Sequence, residues 1–560
     1  MASNTKGNTE DIKTKKLPKV IFTTLLIEKS PQALPLGAAC IASAVKNHEL
    51  TKDLCNVQLF PFNKEDKEFI KNSKTNENAA EYIANLLLEQ TPVICGFSVF
   101  VWNRTILELV AKILKKHNII CIAGGPEVTA HPQVFTDFDY TISGAGEHKV
   151  PQIIYKILSK SKADTALSTA LDVVQNSQNF QTSQSLENLT SPYLDGTLNP
   201  ADYEGALWEL ARGCPFKCSY CYESKGEQKV CTFSMERIKK ELDLFAKLDV
   251  PQIFVLDPTY NANKQRALEI LNLIAKKTPN TFYYFEARAE FIDKELAKAF
   301  TKIPCSLQIG LQSSNEEVLK LVHRPFNKKQ FTKGINILNQ TGVTFGLDVI
   351  YGLPKESING FKESINFAIS LYPNNLELFC LSVLPGTDLY DRATELGLKF
   401  QTNPPYNIIE TSHFSKADVQ KASKIANSCN IFYNQGRAVP WFNTICQSLK
   451  IKPSQFFNLF SEYLDQQNIV INCQNTNHKE IETLQKKFVT KLFTEKNLKK
   501  QLVVALDLIS LHGAISRKEY TGISEKVKLM YPVEYLMSEY AFDLDFFAKN
   551  VIIKERFFKT

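Results

Sequence analysis

Short segments that are apolar along their whole length alternate with longer segments of helical periodicity over most of the chain. The pattern begins with KVIFTTLLI and continues through VICGFSVFV, IICIAGG, QIFVLD and FGLDVIYG. A strand without polar alternation is buried on both faces, and parallel sheets are the sheets that helices cover on both faces. The sequence therefore predicts an α/β chain built on parallel sheets.

The alternation forms two blocks separated by a polar segment. Residues 18–160 predict a doubly wound (Rossmann-like) domain, whose ligand site lies beyond the carboxyl ends of the strands. Residues 161–200, rich in Ser, Thr, Gln and Asn, predict a linker. Residues 201–414 hold six strand–helix units, which suit a partial (β/α)6 TIM-type barrel with its chemistry on the loops after the strands. Residues 415–560 predict a mainly helical C-terminal region, and residues 1–17 a disordered N-terminus.

Composition restricts the compartment and the partners. The formal charge of +7 is small for 560 residues and indicates no nucleic-acid or membrane-surface partner. The polar start, MASNTKGNTEDIKTKK, does not resemble a secretory signal, and no apolar stretch is long enough to span a bilayer. Thirteen irregularly spaced cysteines argue against a disulfide framework. We therefore expect a cytoplasmic protein.

The first loop of the second block contains three closely spaced cysteines. Arg212-Gly-Cys-Pro-Phe-Lys-Cys-Ser-Tyr-Cys follows a predicted strand, with Cys214, Cys218 and Cys221 in C-x3-C-x2-C spacing. Three thiolates can bind three irons of a cubane cluster and leave the fourth iron without a protein ligand, which is the open position that a catalytic site needs. The alternatives are a zinc knuckle with a distant fourth ligand, or chance spacing.

This loop resembles the C-x3-C-x2-C loop of the radical SAM superfamily, in which an aromatic residue, here Tyr220, precedes the last cysteine. The resemblance extends over residues 206–413. It implies a 4Fe-4S cluster, with S-adenosylmethionine bound at the open iron. One electron from a reductant such as flavodoxin or ferredoxin would pass through the cluster and cleave S-adenosylmethionine to a 5′-deoxyadenosyl radical. In this class the cofactors supply the chemistry, and the protein supplies orientation and exclusion of water.

Four polar residues match the family's cofactor-binding strands. Asp257 ends the second strand, where the family places residues near the methionine amino group, although capping of the following helix would explain it equally well. The resemblance implies that Arg288, Gln312 and Arg324 contact the ribose or the carboxylate. Each of these three would also suit an ordinary surface ion pair or polar contact.

Two glycine–proline segments match the adenine-binding part of the family. Gly352 and Pro354 lie in DVIYGLPKE, which resembles the fifth-strand motif along the adenine. A glycine there allows close approach of the backbone, and a purely structural turn is the alternative. Pro385 and Gly386 of LPGT resemble the turn that closes the adenine pocket. No residue of the chain is assigned to the substrate chemistry itself.

The first block resembles the cobalamin-binding domain that precedes many radical SAM cores. The matching segments are SVFVWN, GGPE and GAGEHKVPQII. Gly-rich loops after parallel strands let a flat cofactor or its phosphate tail approach the backbone. The resemblance implies cobalamin contacts at Ser98, Trp102, Asn103, Gly124, Gly125, Pro126, Glu127, Gly144, Gly146 and Glu147.

One departure from the cobalamin-binding pattern lies after the first strand. Cobalamin domains of this kind carry Asp-x-His-x-x-Gly there, and the histidine binds cobalt. The corresponding loop here, IEKSPQALPLG, has no histidine. Cobalamin would therefore bind without an imidazole from this motif, or the domain has kept only its scaffold.

The leading hypothesis is a cobalamin-dependent radical SAM methyltransferase that acts on an unactivated carbon of a small molecule or peptide. The alternatives are a cyclase or rearrangement enzyme with the same two domains, and a non-catalytic protein that senses cobalamin or redox state. Release of 5′-deoxyadenosine separates the enzymes from the sensor. A tRNA methylthiotransferase is disfavoured, because the first block lacks a second set of closely spaced cysteines.

Overall fold

The structure, a computed structural model, describes residues 17–159, 186–225, 229–471 and 476–560. These residues form two compact units. The first runs to Glu204 and includes Ser234–Leu244, and the second combines Gly205–Phe233 with Phe245–Thr560. The predicted disordered N-terminus, apart from Leu17, and most of the predicted linker lie outside the described residues.

The first unit contains a five-stranded parallel sheet. Its strands are β1 (Lys19–Thr23), β3 (Asn56–Leu59), β5 (Ile94–Ser98), β6 (Ile120–Gly124) and β7 (Tyr140–Thr141), in the order β3-β1-β5-β6-β7. The order reverses between β1 and β5. A doubly wound sheet binds its ligands beyond the carboxyl ends of the strands at such a switch point.

The remaining elements of the first unit pack around this sheet. They are β2 (Leu25–Leu26), which pairs with β4 (Phe62–Asn63), and the helices α1 (Leu36–Asn47), α2 (Lys67–Asn72), α3 (Asn76–Glu89), α4 (Arg104–Lys116), α5 (Pro126–Ala130) and α6 (Lys149–Ser159). In α4, the apolar residues that pack into the core recur every three or four positions, as in an amphipathic helix on a sheet. The segment predicted as the first strand forms two strands, because β1 ends before Thr24 and β2 after it pairs with β4 instead of with the five-stranded sheet.

The second unit begins with a six-stranded parallel sheet in the order β15-β14-β13-β12-β11-β8, which is the order of a partial barrel. Its strands are β8 (Ala206–Trp208), β11 (Gln252–Val255), β12 (Phe282–Ala287), β13 (Cys305–Gln312), β14 (Thr344–Tyr351) and β15 (Asn375–Cys380). Helices between or after these strands in the chain are α7 (Met235–Lys247), α8 (Lys264–Lys277), α9 (Lys294–Phe300), α10 (Glu316–Leu321), α11 (Lys328–Thr341), α12 (Ile358–Ser370) and α13 (Asp388–Asp391). Most of α7 belongs to the first unit. Two short antiparallel pairs join β9 (Ala211–Arg212) to β10 (Cys231–Thr232), and β16 (Lys399–Phe400) to β17 (Ile408–Glu410).

The C-terminal part of this unit is mainly helical. Its helices are α14 (Lys416–Cys429), α15 (Phe442–Leu449), α16 (Pro453–Gln466), α17 (His478–Glu495), α18 (Lys499–Thr521), α19 (Val533–Leu536) and α20 (Leu544–Asn550), and its only described strands are β18 (Lys526–Leu529) and β19 (Arg556–Lys559). A π-helix at Asn430–Gln435 continues α14. Phenylalanines from α15, α16 and α17 pack edge to face around Phe432. Among the described residues, no helix is both long and apolar enough to cross a membrane.

Candidate active site

The three closely spaced cysteines lie on the loop that follows β9 in the barrel unit. Gly213, which precedes them, has φ +93°, a conformation that favours glycine and turns the chain into the loop. Cys214 and Cys218 are buried, and Cys221 is half-buried. Burial raises the pKa of the Cys214 thiol, so a bound cation would be needed to hold it as a thiolate.

Backbone hydrogen bonds hold this loop from two sides. The Ser219 N–H donates to the Val322 carbonyl at 2.9 Å, and the Leu389 N–H donates to the Ser219 carbonyl at 2.8 Å. Leu389 comes directly after the turn that contains Pro385 and Gly386, and Gly386 has φ +80°. The structure thus brings this predicted cofactor turn next to the cysteine loop.

Asp257 holds the segment that leads into the cysteine loop by two hydrogen bonds to its backbone. It is 9% exposed, and its Oδ1 accepts hydrogen bonds from the Leu210 and Ala211 N–H groups at 2.9 and 3.0 Å. Burial raises the pKa of its carboxyl to about 7, although the two backbone hydrogen bonds oppose this shift. The helix-capping alternative is wrong, since the side chain that caps α8 is Asn263. Asp257 positions the strand that leads into the cysteines.

Arg324 lies against the cysteine loop. Its Nη1 donates to Cys218 Sγ at 4.0 Å and to the Tyr220 hydroxyl at 3.4 Å, and its Nη2 donates to the Gly310 carbonyl. The tyrosine ring also packs against apolar side chains of the barrel loops. The structure shows no carboxylate paired with Arg324 in the part of the chain that it describes, so the surface ion-pair alternative is wrong for this residue.

Several buried polar atoms on or near the cysteine loop have no hydrogen-bond partner among the described residues, among them Ser219 Oγ on the loop itself, Arg324 Nε and Gln312 Oε1. Gln312 ends β13 and has φ +69°, a strained conformation for a residue other than glycine. A placed donor and a placed acceptor beside three thiols are what a polar ligand of a metal cluster requires. The residues present therefore fit the cluster and the cofactor that the resemblance implies.

Arg288 contacts the cysteine loop through Phe216, whose ring lies 4.3 Å below the guanidinium carbon. It is 7% exposed, pairs with Glu290 at 2.9 Å and donates to the Pro325 carbonyl. Its Nη1 is buried and has no hydrogen-bond partner among the described residues. Arg288 is therefore not a surface residue. It has a donor left for a ligand.

The predicted adenine segment has a structural explanation as well. Gly352 has φ +85°, and a Cβ atom there would lie 2.6 Å from Cγ2 of Ile408. These two constraints require glycine whether or not a ligand is bound. The adenine contacts of Gly352 and Pro354 stay a prediction.

Sequence analysis missed a row of polar residues on the inner face of the barrel sheet. Gln308 donates to Asp348, and burial raises the pKa of Asp348 to about 7, with Glu286 and Glu377 adding to the shift. Burial also raises the pKa of Glu286. Each of these residues is a polar position within an otherwise apolar strand, and that period-two signal could have identified them.

Glu356 is a second site that sequence analysis missed. This residue of the GLPKE segment is 1% exposed, its Oε1 accepts a hydrogen bond from the Ser313 hydroxyl at 2.7 Å, and its Oε2 has no partner among the described residues. Burial raises its pKa from 4.5 to about 8. The protonated carboxyl therefore links the loops that follow β13 and β14.

The stabilisation of the Glu356→Gln variant relative to wild type should increase with pH, from none in mild acid to its full value in mild alkali. The folded pKa of Glu356 is raised, so its contribution to stability is complete below pH 4.5 and is lost as the pH rises towards 8. The glutamine keeps the acceptor for Ser313 and carries no charge. We expect equal unfolding free energies below pH 4.5 and an advantage of up to about 5 kcal/mol for the variant above pH 8, measured by urea unfolding. A pH-independent difference would contradict this.

In the first unit, the residues predicted to contact cobalamin lie at the carboxyl ends of β5, β6 and β7. Trp102 is 38% exposed and stacks on Phe100 with centroids 4.5 Å apart. Gly144 has φ +75° and no atom within 4 Å of the position of a Cβ. Gly125, with φ +106°, would place a Cβ 2.6 Å from the Val99 carbonyl oxygen. These loops therefore present an exposed aromatic ring and accessible backbone.

Two of the residues predicted to contact cobalamin make contacts within the unit. Asn103 is 1% exposed, and its amide nitrogen donates to Thr24 Oγ1 at 3.1 Å and to the Leu25 carbonyl at 3.2 Å. Glu127 is 7% exposed and pairs with Arg104 at 3.3 Å. Both side chains thus have partners within the unit that hold the loops in place, and their contacts with cobalamin stay a prediction.

The structure also shows the surroundings of the other residues that were predicted to contact cobalamin. Ser98 is half-buried, and its carbonyl accepts a hydrogen bond from Thr24 Oγ1 at 2.8 Å. Pro126 begins α5, and Glu147 is 7% exposed. A Cβ at Gly146 would lie 2.9 Å from Cδ1 of Ile41, whereas at Gly124 it would meet nothing closer than 3.9 Å.

In the part of the chain that the structure describes, no three His, Cys, Asp or Glu side chains are grouped as ligands of one metal ion. A cubane cluster does not require such a group, since each thiolate binds a different iron. The cysteine loop is therefore compatible with a cluster.

Two family sequence models match the second unit. Residues 208–368 match the Radical SAM superfamily, and residues 394–537 match the family described as Protein of unknown function (DUF4080). The first match covers the cysteine loop and most of the barrel. The prediction of a radical SAM domain is therefore confirmed.

Curated relatives extend the match beyond the barrel. The chain is 25% identical over 328 residues to the cobalamin-dependent radical SAM methyltransferase TokK of Streptomyces tokunonensis. The matched region covers 53% of this chain and 48% of the relative. It is 23% identical over 412 residues to an uncharacterized methyltransferase of Pyrococcus horikoshii, which covers 69% of this chain and 85% of the relative. The chain thus spans about half the length of the first relative.

Among solved structures, the chain is similar to the cobalamin-dependent S-adenosylmethionine radical enzyme OxsB with aqua-cobalamin and S-adenosylmethionine bound. The TM-score is 0.56 at 17% identity, over 86% of this chain and 80% of the other. This likeness shows the fold. The predicted order of a doubly wound domain, a partial barrel and a helical region is confirmed.

Proposed function

We propose that this chain, which carries a radical SAM domain over residues 208–368, is a cobalamin-dependent methyltransferase that acts on an unactivated carbon. The observation that carries the proposal is the loop of Cys214, Cys218 and Cys221, with the unpartnered donor of Arg324 and acceptor of Gln312 beside it. The similarity to TokK and to the P. horikoshii methyltransferase supports methyl transfer.

When bound, the 4Fe-4S cluster would supply the electron that cleaves S-adenosylmethionine to a 5′-deoxyadenosyl radical, and cobalamin would carry the methyl group. Cys214, Cys218 and Cys221 would hold the cluster. Arg324 donates to Cys218 Sγ, and a hydrogen bond to a ligand sulfur tunes the cluster that the sulfur binds.

The polar groups around the cysteine loop would orient S-adenosylmethionine. Arg324 Nε and Arg288 Nη1 are donors suited to its carboxylate, and Gln312 Oε1 is an acceptor suited to its ammonium or ribose hydroxyls. The ring of Tyr220 and the apolar side chains against which it packs would exclude water from the radical.

The loops of the first unit would hold cobalamin. Gly124 and Gly144 leave room for the cofactor to approach the backbone beyond the carboxyl ends of β6 and β7, and Trp102 offers a flat apolar surface. The loop after β1 provides no histidine, so this loop would leave the lower face of the corrin without a protein imidazole.

The partners follow from the chemistry. The substrate would be a small molecule or a peptide, and the reductant a flavodoxin or ferredoxin. We place the enzyme in the cytoplasm, since the cysteine loop needs reduced thiols.

Anaerobic reconstitution tests the proposal. Protein purified without oxygen is supplied with iron, sulfide and hydroxocobalamin, and iron, cobalamin and 5′-deoxyadenosine are then quantified after reduction. We expect four irons and one cobalamin per chain, with nucleoside release. Iron and nucleoside without cobalamin would contradict methyl transfer and favour a cyclase or rearrangement enzyme. Both cofactors without nucleoside would indicate a sensor.

The Asn103→Ala substitution should lower bound cobalamin well below one per chain while leaving the iron content unchanged. The amide connects the loops after β1 and β5, and its removal leaves the Phe100 N–H without its acceptor and breaks the bonds to Thr24 and Leu25, at a cost of about 2 kcal/mol in unfolding free energy. Asn72→Ala is the matched control, because that side chain donates only to the Glu68 carbonyl at the surface. Equal cobalamin content in the two variants would contradict the positioning role.

A further inference from the structure

The helical part of the second unit and β15 line a polar cavity of about 330 Å³ that is open to solvent on one side, where Tyr520 is 80% exposed. Glu377 of β15 lies at one wall, and side chains from the π-helix and the following helices line the rest: Asn434, Gln435, Arg437, His478 and Tyr520. Glu377 lies in the first half of its strand, whereas the cysteines lie on the loop after β9, and no described residue of that loop lines the cavity. The cavity is therefore separate from the cysteine loop.

Arg437 supplies a positive charge to this cavity. Its Nη1 donates to the carbonyl and hydroxyl of Ser516 at 2.8 and 2.9 Å, and its guanidinium carbon lies 5.2 Å from the ring centroid of Tyr520. It forms no ion pair with any carboxylate in the described ranges, whereas the nearby Arg517 pairs with Glu482 and Glu525. Arg437 thus has no carboxylate in direct contact among the described residues, with Glu519 acting on its charge only at a distance, and its remaining N–H groups can donate to an anion.

His478 adds a neutral donor. Its Nδ1 lies 2.9 Å from Arg517 Nη1, and arginine only donates, so Nδ1 accepts and the hydrogen must lie on Nε2. Burial lowers the pKa of His478 to about 4, with Arg437 and Arg517 adding to the shift. Nε2 is buried and makes no hydrogen bond of good geometry among the described residues, although an interaction with the Gly436 backbone opposes the shift of the His478 pKa. The Gly436 carbonyl also accepts from Gln485 at 3.0 Å.

Glu377 supplies the opposite charge. Its Oε1 accepts hydrogen bonds from the side-chain amides of Asn375 and Asn434 at 2.7 and 3.4 Å. No lysine or arginine of the described chain forms an ion pair with it. Asn434 also binds both backbone groups of Leu376, which fixes the π-helix to the free edge of β15.

We propose that this cavity binds a small carboxylic acid that also carries a hydrogen-bond donor, as α-amino and α-hydroxy acids do. The carboxylate binds the Arg437 guanidinium and the Nε2–H of His478, and the ammonium or hydroxyl group donates to Glu377. A dianion such as phosphate is disfavoured, because Glu377 repels it.

Isothermal titration calorimetry on the full chain tests the proposal, with L-alanine, L-lactate, acetate, methylammonium and inorganic phosphate as probes. We expect the two bifunctional probes to bind more tightly than the other three. Arg437→Gln should weaken their binding at least about tenfold, and Glu377→Gln should weaken L-alanine more than L-lactate. Binding needs no cluster or cobalamin, so its outcome is independent of the proposed methyl transfer.

Two variants keep the test decisive. Arg556→Gln is the matched control, since this arginine of the same region pairs with Glu534 at the surface and should change no affinity. His478→Phe removes the second donor without touching Arg437 and should also weaken both bifunctional probes. No heat of binding from L-alanine and L-lactate, or unchanged affinity in Arg437→Gln and His478→Phe, would overturn the proposal.

Discussion

Cys218→Ala is expected to lose the iron–sulfur cluster and to produce no 5′-deoxyadenosine above background. The Cys218 thiol is buried beside Arg324 and is the sulfur to which that arginine donates. Removing one of three thiolates leaves a second iron without a protein ligand, and the loop cannot replace it. Iron content, the absorption spectrum and nucleoside release after reduction provide the measurement.

Cys231→Ala is the matched control for this variant. Cys231 lies on β10, opposite Arg212 of β9, and is half-buried. It is thus a thiol at the end of the same loop but outside the C-x3-C-x2-C spacing. It should keep the full iron content and nucleoside release. Loss of iron in both variants, or in neither, would contradict the assignment of the cluster ligands.

Asp257→Ala should destabilise the protein by about 2–4 kcal/mol, because it leaves the buried N–H groups of Leu210 and Ala211 without acceptors. The strand that leads into the cysteine loop then loses its support. We expect the iron content after reconstitution to fall as well. Urea unfolding at neutral pH and iron analysis of the folded fraction measure the two effects separately.

Asp293→Ala shows whether the iron effect is specific. Asp293 also accepts a backbone hydrogen bond, from Leu296, but it caps α9. The Asp293→Ala variant should lose about 1 kcal/mol of unfolding free energy and should keep its full iron content. If Asp257→Ala retains four irons despite its loss of stability, Asp257 stabilises the fold without positioning the cluster loop.

Much of the fold could be predicted because burial on both faces removes polar residues from a strand and leaves a legible pattern. The six barrel strands and the parallel strands of the first unit were all visible as apolar runs between helical segments. The break of the first strand at Thr24 was not visible. It depends on pairing of β2 with β4, a contact 37 residues along the chain.

The candidate site was predictable where its residues are consecutive. Cys214, Cys218 and Cys221 lie on one loop, so their spacing indicates a metal site, and the resemblance to the radical SAM superfamily implies its chemistry. The roles of Asp257 and Asn103 were not predictable, because their partners are backbone groups of distant strands. A sequence shows that such a residue is polar, but not which buried group it satisfies.

The sequence by itself determined the two α/β blocks and the loop of closely spaced cysteines, since periodicity and local spacing are properties of neighbouring residues. Only the tertiary structure decided which polar groups remain without a partner. Arg324 Nε, Gln312 Oε1 and His478 Nε2 are distinguished by contacts that they do not make. Whether a donor or acceptor is satisfied depends on the three-dimensional packing of segments far apart in the chain.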